Sequence, residues 1–338
     1  MHSYGFVDGA PSPGCRRPLP TGQLVAQALD AFRIHAPASV MNSSIDFQEW
    51  ESYVTGPESS KWRLFTASFW RFQPGLTVVD IGDGTPNSPH LVTYIRIWKS
   101  ANDFIRFNLV PAAGPGAMDV TGRLAPLISG RRGGQMTRRK VGSHRLSSKV
   151  FTFVRSPISH FVSGYNEVEY RWTHDFGNYS TVFIPEYCQS KGCVFHKFPM
   201  GSTERVWAFL GDLLLGKLAL LREVGHVYAQ LGALPKGLRI DFVGRLENFN
   251  EDWRHVLDTF IHADSDQHEY EFDPSVGAHN STNFEAGEAA KRLVANDPGF
   301  VRVLEELLVL EFMCWGYPPH AVDSGGVAAD GRGDAASG

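Results

Sequence analysis

A chain of 338 residues, 43% hydrophobic and 12% aromatic, can bury one substantial core, as a single large domain or two small ones. Its 36 acidic and 32 basic residues leave a formal charge of −4, which excludes a charge-driven nucleic-acid or acidic-lipid partner and makes any important electrostatics local. The longest apolar stretch, Val206 to Leu221, is interrupted by Asp212 and Lys217, so it is expected to form a buried or amphipathic helix, and no segment is expected to span a membrane.

Residues 1–21 and 319–338 are rich in Gly, Pro, Ala, Ser and Asp and poor in large apolar groups. Such ends bury too little surface to offset their ordering entropy, and both are expected to be disordered tails around one globular body over residues 22–318. The first twenty residues have no apolar stretch of the kind a secretory signal needs. Cys15, Cys188, Cys193 and Cys314 are too few and too irregular for a disulfide framework or a zinc site. Cys188 and Cys193 are close enough to pair in an oxidising lumen or to remain two thiols in the cytosol. Sequons at Asn42, Asn178 and Asn280 leave the compartment open.

Short apolar runs rich in β-branched residues predict strands at Leu76–Ile81, Leu91–Ile97, Lys149–Val154 and Arg239–Val243. Helical spacing of apolar residues predicts helices at Asn102–Leu109, Ile158–Tyr170, Glu204–Leu231, Glu251–Ile261 and Phe300–Phe312, with Asn250 as an N-cap. Strands alternating with helices predict an α/β domain with a central parallel sheet covered on both faces. The segment from Pro111 to Ser148 is Gly-dense and carries Arg131, Arg132, Arg138, Arg139, Lys140 and Arg145. It is expected to be a long basic loop, either attracting an anionic ligand or simply solvated.

Trp98-Lys99-Ser100-Ala101-Asn102 follows one predicted strand and opens a helix. The first N–H groups of a helix point outward at the positive end of its dipole, so such a turn is either an anion cradle or an ordinary solvated helix start. Lys99 would complete the cradle, Ala101 would let the backbone approach, and the Ser100 hydroxyl and Asn102 would add hydrogen bonds. Arg155 ends the strand Lys149–Val154, and Ser163 follows eight residues later in the next helix, which opens with Pro157. An arginine fork with a hydroxyl suits phosphate, although a structural arginine at a strand end looks the same in sequence.

Phe151-Thr-Phe-Val-Arg-Ser-Pro-Ile-Ser-His-Phe-Val-Ser-Gly-Tyr165 resembles the pattern F-x-F-V-R-D-P-x-x-R-x-V-S-x-Y of the carbohydrate branch of the sulfotransferases that use 3′-phosphoadenosine 5′-phosphosulfate. Asp241-Phe-Val-Gly-Arg-Leu-Glu-Asn-Phe249 resembles that family's F-I-G-R-Y-E-N, His279-Asn-Ser-Thr282 its H-x-N-x-S/T loop, and Trp315-Gly-Tyr317 its closing F-G-Y. Ser156 stands where the pattern has an acid and His160 where it has a second arginine.

The resemblance implies a three-layer fold like that of the P-loop nucleoside triphosphatases, with its central parallel sheet flanked by helices. It also implies transfer of a sulfuryl group from 3′-phosphoadenosine 5′-phosphosulfate to a carbohydrate hydroxyl, without a metal. Lys99, Ser100, Ala101 and Asn102 would hold the phosphosulfate, with Lys99 catalytic, and Arg155 and Ser163 the 3′-phosphate. Ser281 and Thr282 would close over the nucleotide. His144 is the first candidate for the base, with His160, His174, His196, Glu167 and Glu169 behind it. The acceptor would be a glycan, anionic if the basic loop binds it, with no nucleic-acid partner. The Golgi lumen is the compartment implied by the resemblance and the cytoplasm the alternative. Two rival readings are a non-catalytic nucleotide- or glycan-binding protein on the same fold, and a phosphate-loop kinase, against which the missing G-x-x-x-x-G-K-[ST] speaks.

Overall fold

The computed structural model describes residues 21–42, 75–81, 90–114, 116–121, 148–174, 183–234, 240–261 and 284–319. Apart from Thr21 and Pro319, both expected tails lie outside these residues, as do His144, Ser281, Thr282 and the basic cluster from Arg131 to Arg145.

The molecule is an α/β protein with a mixed five-stranded sheet flanked by helices. Its strands are β1 (Leu76–Asp80), β2 (Leu91–Ile95), β3 (Met118–Asp119), β4 (Ser148–Val154) and β5 (Phe242–Arg245), in the order β3-β1-β2-β4-β5. Strands β2, β4 and β5 run parallel, with Ile95 opposite Thr152 and Val154 opposite Arg245. Strand β1 is antiparallel to β2, pairing Asp80 with Leu91, and this corrects the expected parallel sheet. The reason lies in the connection: residues 81–90 hold Gly82, Gly84, Pro86 and Pro89, whereas a parallel crossover needs a dozen or more residues and usually a helix. A strand buried on both faces reads as an apolar run whichever way it points.

Side chains alternate across the sheet as the pleat requires. Val92 and Tyr94 of β2 and Phe151 and Phe153 of β4 pack against α3 (Asn102–Ala112) and α7 (Phe249–Val256), where Trp253 and Phe249 complete an aromatic cluster. Gly244 in β5 is required there, because a Cβ at that position would sit 2.4 Å from the Phe153 ring. On the other face Val78, Leu91, Ile95 and Val150 form a second cluster. Val154 and Ile97 lead into the largest, built with α1 (Thr21–His35), α4 (Pro157–Thr173), α6 (Thr203–Leu214), α8 (Glu285–Asn296) and α9 (Pro298–Trp315). Buried Trp207 joins α1 to α9, meeting Phe32 at 5.4 Å and Phe300 at 5.1 Å.

Local rules explain the helix ends. The Asp297 carboxylate accepts from the Phe300 N–H at 3.1 Å, Pro298 occupies the first turn, and Gly316 (φ 64°) closes α9. The single helix expected over Glu204–Leu231 ends at Leu214, because Gly216 turns left-handed (φ 70°) and the chain continues as 3₁₀ turns at Arg222–Val227 and Gln230–Ala233. Helix α7 begins at Phe249, with Asn248 rather than Asn250 in the capping position and no capping side-chain bond, and it continues as the π-helical turn Leu257–Ile261. Helices α1, α2 (Ala38–Met41), α5 (Phe183–Lys191) and α8 were not expected individually. Cys188 and Cys193 are buried free thiols brought together where Gly192 (φ 65°) ends α5, the Cys193 N–H donating to the Cys188 carbonyl at 2.9 Å.

Candidate functional site

The parallel pairing of β2 with β4 brings the turn after Ile95 and the turn after Val154 to the same rim of the sheet. The Arg155 guanidinium donates from NH1 to the Lys99 carbonyl at 3.4 Å, so one strand end reaches across to the other. Lys99 (φ 63°) and Ala101 (φ 55°) both adopt left-handed backbone, which costs a side-chain-bearing residue roughly 1–2 kcal/mol each. Such strain persists only where neighbours over-determine it. Here they do: the His160 Nε2–H donates to the Trp98 carbonyl at 2.9 Å, and the Trp98 ring lies on the His226 ring with centroids 4.3 Å apart. Ala101, which has no capping side chain, occupies the N-cap of α3, and no side-chain hydrogen bond caps that helix.

Lys99 is engaged. Its ammonium donates to Glu167 Oε2 at 2.7 Å, while Arg171 Nε donates to Glu167 Oε1 at 2.6 Å, with the Glu167 side chain only 3% exposed. Burial works to raise the Glu167 carboxyl, but Lys99 and Arg171 overcome it and hold the group down at about 2. Burial in turn draws the Lys99 ammonium below its ordinary range, against the pull of Glu167. His160 and His226 are both pushed down to about 3, chiefly by burial, so both stay neutral at physiological pH.

These surroundings change the roles expected of several residues. Ser100 is fully buried and its hydroxyl donates to Gln230 Oε1 at 3.2 Å, so it is spent within the protein and does not face outward. The Asn102 amide donates to Asp103 at 3.2 Å. Glu167 is a poor base because two cations hold it ionised, and Glu169 is gripped by Arg205 through both oxygens (2.7 and 2.9 Å). His160 is fastened to a carbonyl. His174 ends α4, stacked on Tyr170 at 4.2 Å, and His196 sits in the separate 3₁₀ turn Phe195–Lys197. Ser163 is half-buried on α4, three residues after His160 and four before Glu167, hence on the same helical stripe.

The Arg155 turn gathers two of the other singled-out segments, residues 241–249 and 315–317. The Ser156 N–H donates to Glu247 Oε1 at 2.7 Å, and Tyr317 donates its hydroxyl to Glu247 Oε2 at 2.7 Å. Arg245 donates to the Trp315 carbonyl at 2.6 Å and lies over the Tyr317 ring at 4.7 Å. The Ser156 hydroxyl is buried and has no hydrogen-bond partner among the described residues.

Sequence reasoning missed Gln230, Glu311 and His226. Gln230 carries no signal in its local pattern, while Glu311 is marked only as a carboxylate inside the apolar run Leu307–Trp315. Glu311 is fully buried, accepts from the Leu231 N–H at 3.0 Å, and is pushed by burial up to about 7. A carboxyl raised in the folded state contributes stability that is complete below its unfolded value of 4.5 and is lost as pH rises through about 7. Glu311→Gln is therefore expected to remove roughly 2–3 kcal/mol of stability loss between pH 5 and pH 8. Urea denaturation at stepped pH checks this, and parallel curves for variant and wild type would refute it. Asp212, raised to about 6 mainly by burial, acts in the same direction, so the comparison rests on the difference between the two proteins.

Among the described residues no three or more His, Cys, Asp or Glu are grouped so as to hold a metal ion, and no helix is long and apolar enough to cross a membrane. The fold and site together define an α/β protein with two cationic strand ends on one sheet rim. In comparison with known proteins, no family model, no curated protein and no solved structure matches the chain.

Proposed function

We propose that the chain is a sulfotransferase of the P-loop-like fold, moving a sulfuryl group from 3′-phosphoadenosine 5′-phosphosulfate to a carbohydrate hydroxyl. The observation that carries this reading is the meeting of the Lys99 and Arg155 turns at adjacent ends of parallel strands, close enough for the Arg155 guanidinium to reach the Lys99 carbonyl. Two further segments that resemble the family in sequence, residues 241–249 and 315–317, converge on the same turn through Glu247, Arg245 and Tyr317, which supports a common origin for the arrangement. The buried Ser156 hydroxyl, free to donate, also suits an oxyanion.

In this reading Arg155, with Ser163 on the adjoining helix, holds the 3′-phosphate, and Lys99 with the start of α3 holds the 5′ group. As the acceptor oxygen bonds to sulfur and the sulfur–oxygen bond to the nucleotide breaks, negative charge grows on the leaving oxygen, and a positioned cation lowers that barrier. Lys99 would have to release Glu167 to reach it. The acceptor proton needs a base; His160, His226 and Glu167 are each held at low pKa, and His144, outside the described residues, is kept as the first proposed acceptor of that proton.

Calorimetry with adenosine 3′,5′-bisphosphate, followed by transfer of labelled sulfate to a panel of glycans, tests the reading, and absence of binding would reject it. Arg155→Ala is expected to weaken binding by at least tenfold, since a charge-assisted hydrogen bond contributes about 1.5–3 kcal/mol. Unchanged affinity would remove Arg155 from the site. A second reading, nucleotide binding without turnover, is favoured by the Lys99–Glu167–Arg171 cluster, which already neutralises the proposed catalytic cation; binding without transfer to any glycan would select it.

A further inference from the structure

Both cationic turns are fastened to a single buried amide. Gln230, fully buried in the 3₁₀ turn after α6, accepts at Oε1 from the Ser100 hydroxyl at 3.2 Å and from the Arg155 N–H at 3.0 Å. Its Nε2 donates to the Arg155 carbonyl at 2.9 Å and, more weakly, to Glu311 Oε2 at 3.4 Å. The amide thus pairs with the backbone of Arg155 on both sides, as a neighbouring strand would, while holding the residue next to Lys99 in the other turn. Its orientation is determined by the Arg155 backbone: a flip would set the amide nitrogen against the Arg155 N–H and the oxygen against the Arg155 carbonyl. Glu311 accepts from the Leu231 N–H as well, which fixes the 3₁₀ turn that carries Gln230.

Buried amides with all their hydrogen-bonding capacity used are costly to place and rigid once placed. The strained Lys99 and Ala101 backbones need such outside support, and Gln230 supplies it from a position that also touches Arg155.

We infer that Gln230 is a positioning residue that sets the spacing between the Lys99 turn and the Arg155 turn, so that a ligand with two anionic groups is recognised by the distance between them. The inference rests on the nucleotide-binding reading above. A ligand that bridges two pre-spaced turns binds more tightly than one that engages either turn alone, because the protein has already met the ordering cost.

The test compares adenosine 3′,5′-bisphosphate, adenosine 5′-monophosphate and adenosine 3′-monophosphate by calorimetry on wild type and Gln230→Met, which keeps the volume and removes both hydrogen-bonding ends. The bisphosphate is expected to weaken about tenfold and each monophosphate less than twofold. Equal weakening of all three, or no change in any, would overturn the positioning role, since a merely structural residue lowers thermal stability without changing that ratio. Should Gln230→Met fail to fold, Ser100→Ala severs only the link to the Lys99 turn, and the same split in a smaller amount is expected; its absence has the same force. A wild-type protein that binds the bisphosphate no better than the monophosphates overturns the inference and leaves nucleotide binding itself standing, whereas no binding of any of the three overturns both.

Discussion

Arg205→Met is expected to lower the stability of the folded chain by about 3–5 kcal/mol, a large share of what an ordinary domain possesses. Arg205 grips Glu169 through two bonds of 2.7 and 2.9 Å and donates a third to the Phe198 carbonyl at 2.9 Å, and the Glu169 side chain has no exposure to water. Without the guanidinium, the carboxylate would keep, among the described side-chain donors, the Tyr165 hydroxyl at 3.1 Å. An uncompensated buried charge is what makes the single change severe; the pair itself need not stabilise much. Urea denaturation of Arg205→Met, Glu169→Met and the double variant checks this. The double variant should recover most of the loss, whereas a single variant losing under about 1 kcal/mol would mean that water reaches the pair.

The second large effect is on turnover. On the proposed reading, Lys99→Ala is expected to reduce sulfuryl transfer by on the order of 10²–10³-fold, the usual consequence of deleting one charge-stabilising donor, while nucleotide affinity falls much less. Single-turnover transfer alongside calorimetry separates the two, and normal turnover would remove Lys99 from the chemistry. The same variant has a signature in acid that needs no substrate. Glu167 has its pKa depressed to about 2, so it contributes stability that is present above the unfolded value of 4.5 and lost as pH falls through about 2. Removing Lys99 takes away one of the cations that hold the carboxylate ionised, so acid unfolding should begin at higher pH. Coincident acid-unfolding curves would argue that the Lys99–Glu167 contact is not maintained in solution.

Opposite signs of linkage make the interior around the rim readable by titration. Glu167 favours the fold at neutral pH, whereas Glu311 works against it as pH rises through about 7. His160 and His226, both depressed to about 3, contribute stability that is present above 6.5 and lost as pH falls toward 3. Maximal stability is thus a compromise between groups buried charged and groups buried neutral, all within one cluster around the Lys99 turn.

Much of the local structure was legible in the residues themselves. Short apolar runs located β1, β2 and β4 to within two residues, and Pro157 marks a helix start as its fixed backbone angle dictates. The strand-to-helix turns at Lys99 and Arg155 could be found because short-range chemistry, a cation beside small polar residues at a strand end, is written contiguously. The break at Gly216 was harder: a glycine inside an apolar run is tolerated in many helices, and only its left-handed φ of 70° ends this one.

What the sequence determined by itself is three of the strands, the cores of several helices and the two cationic turns, because backbone propensity and hydrophobic period act over a few residues. Tertiary structure alone decided the rest: that β1 runs against β2, that Ser100 turns inward, that Glu167 and Glu169 answer to different cations, and that Gln230, 75 residues from Arg155, joins both turns. Those outcomes depend on which buried polar group finds a partner across the fold. Burial raises the cost of an unmet hydrogen bond or charge enough to select among arrangements that look alike along the chain.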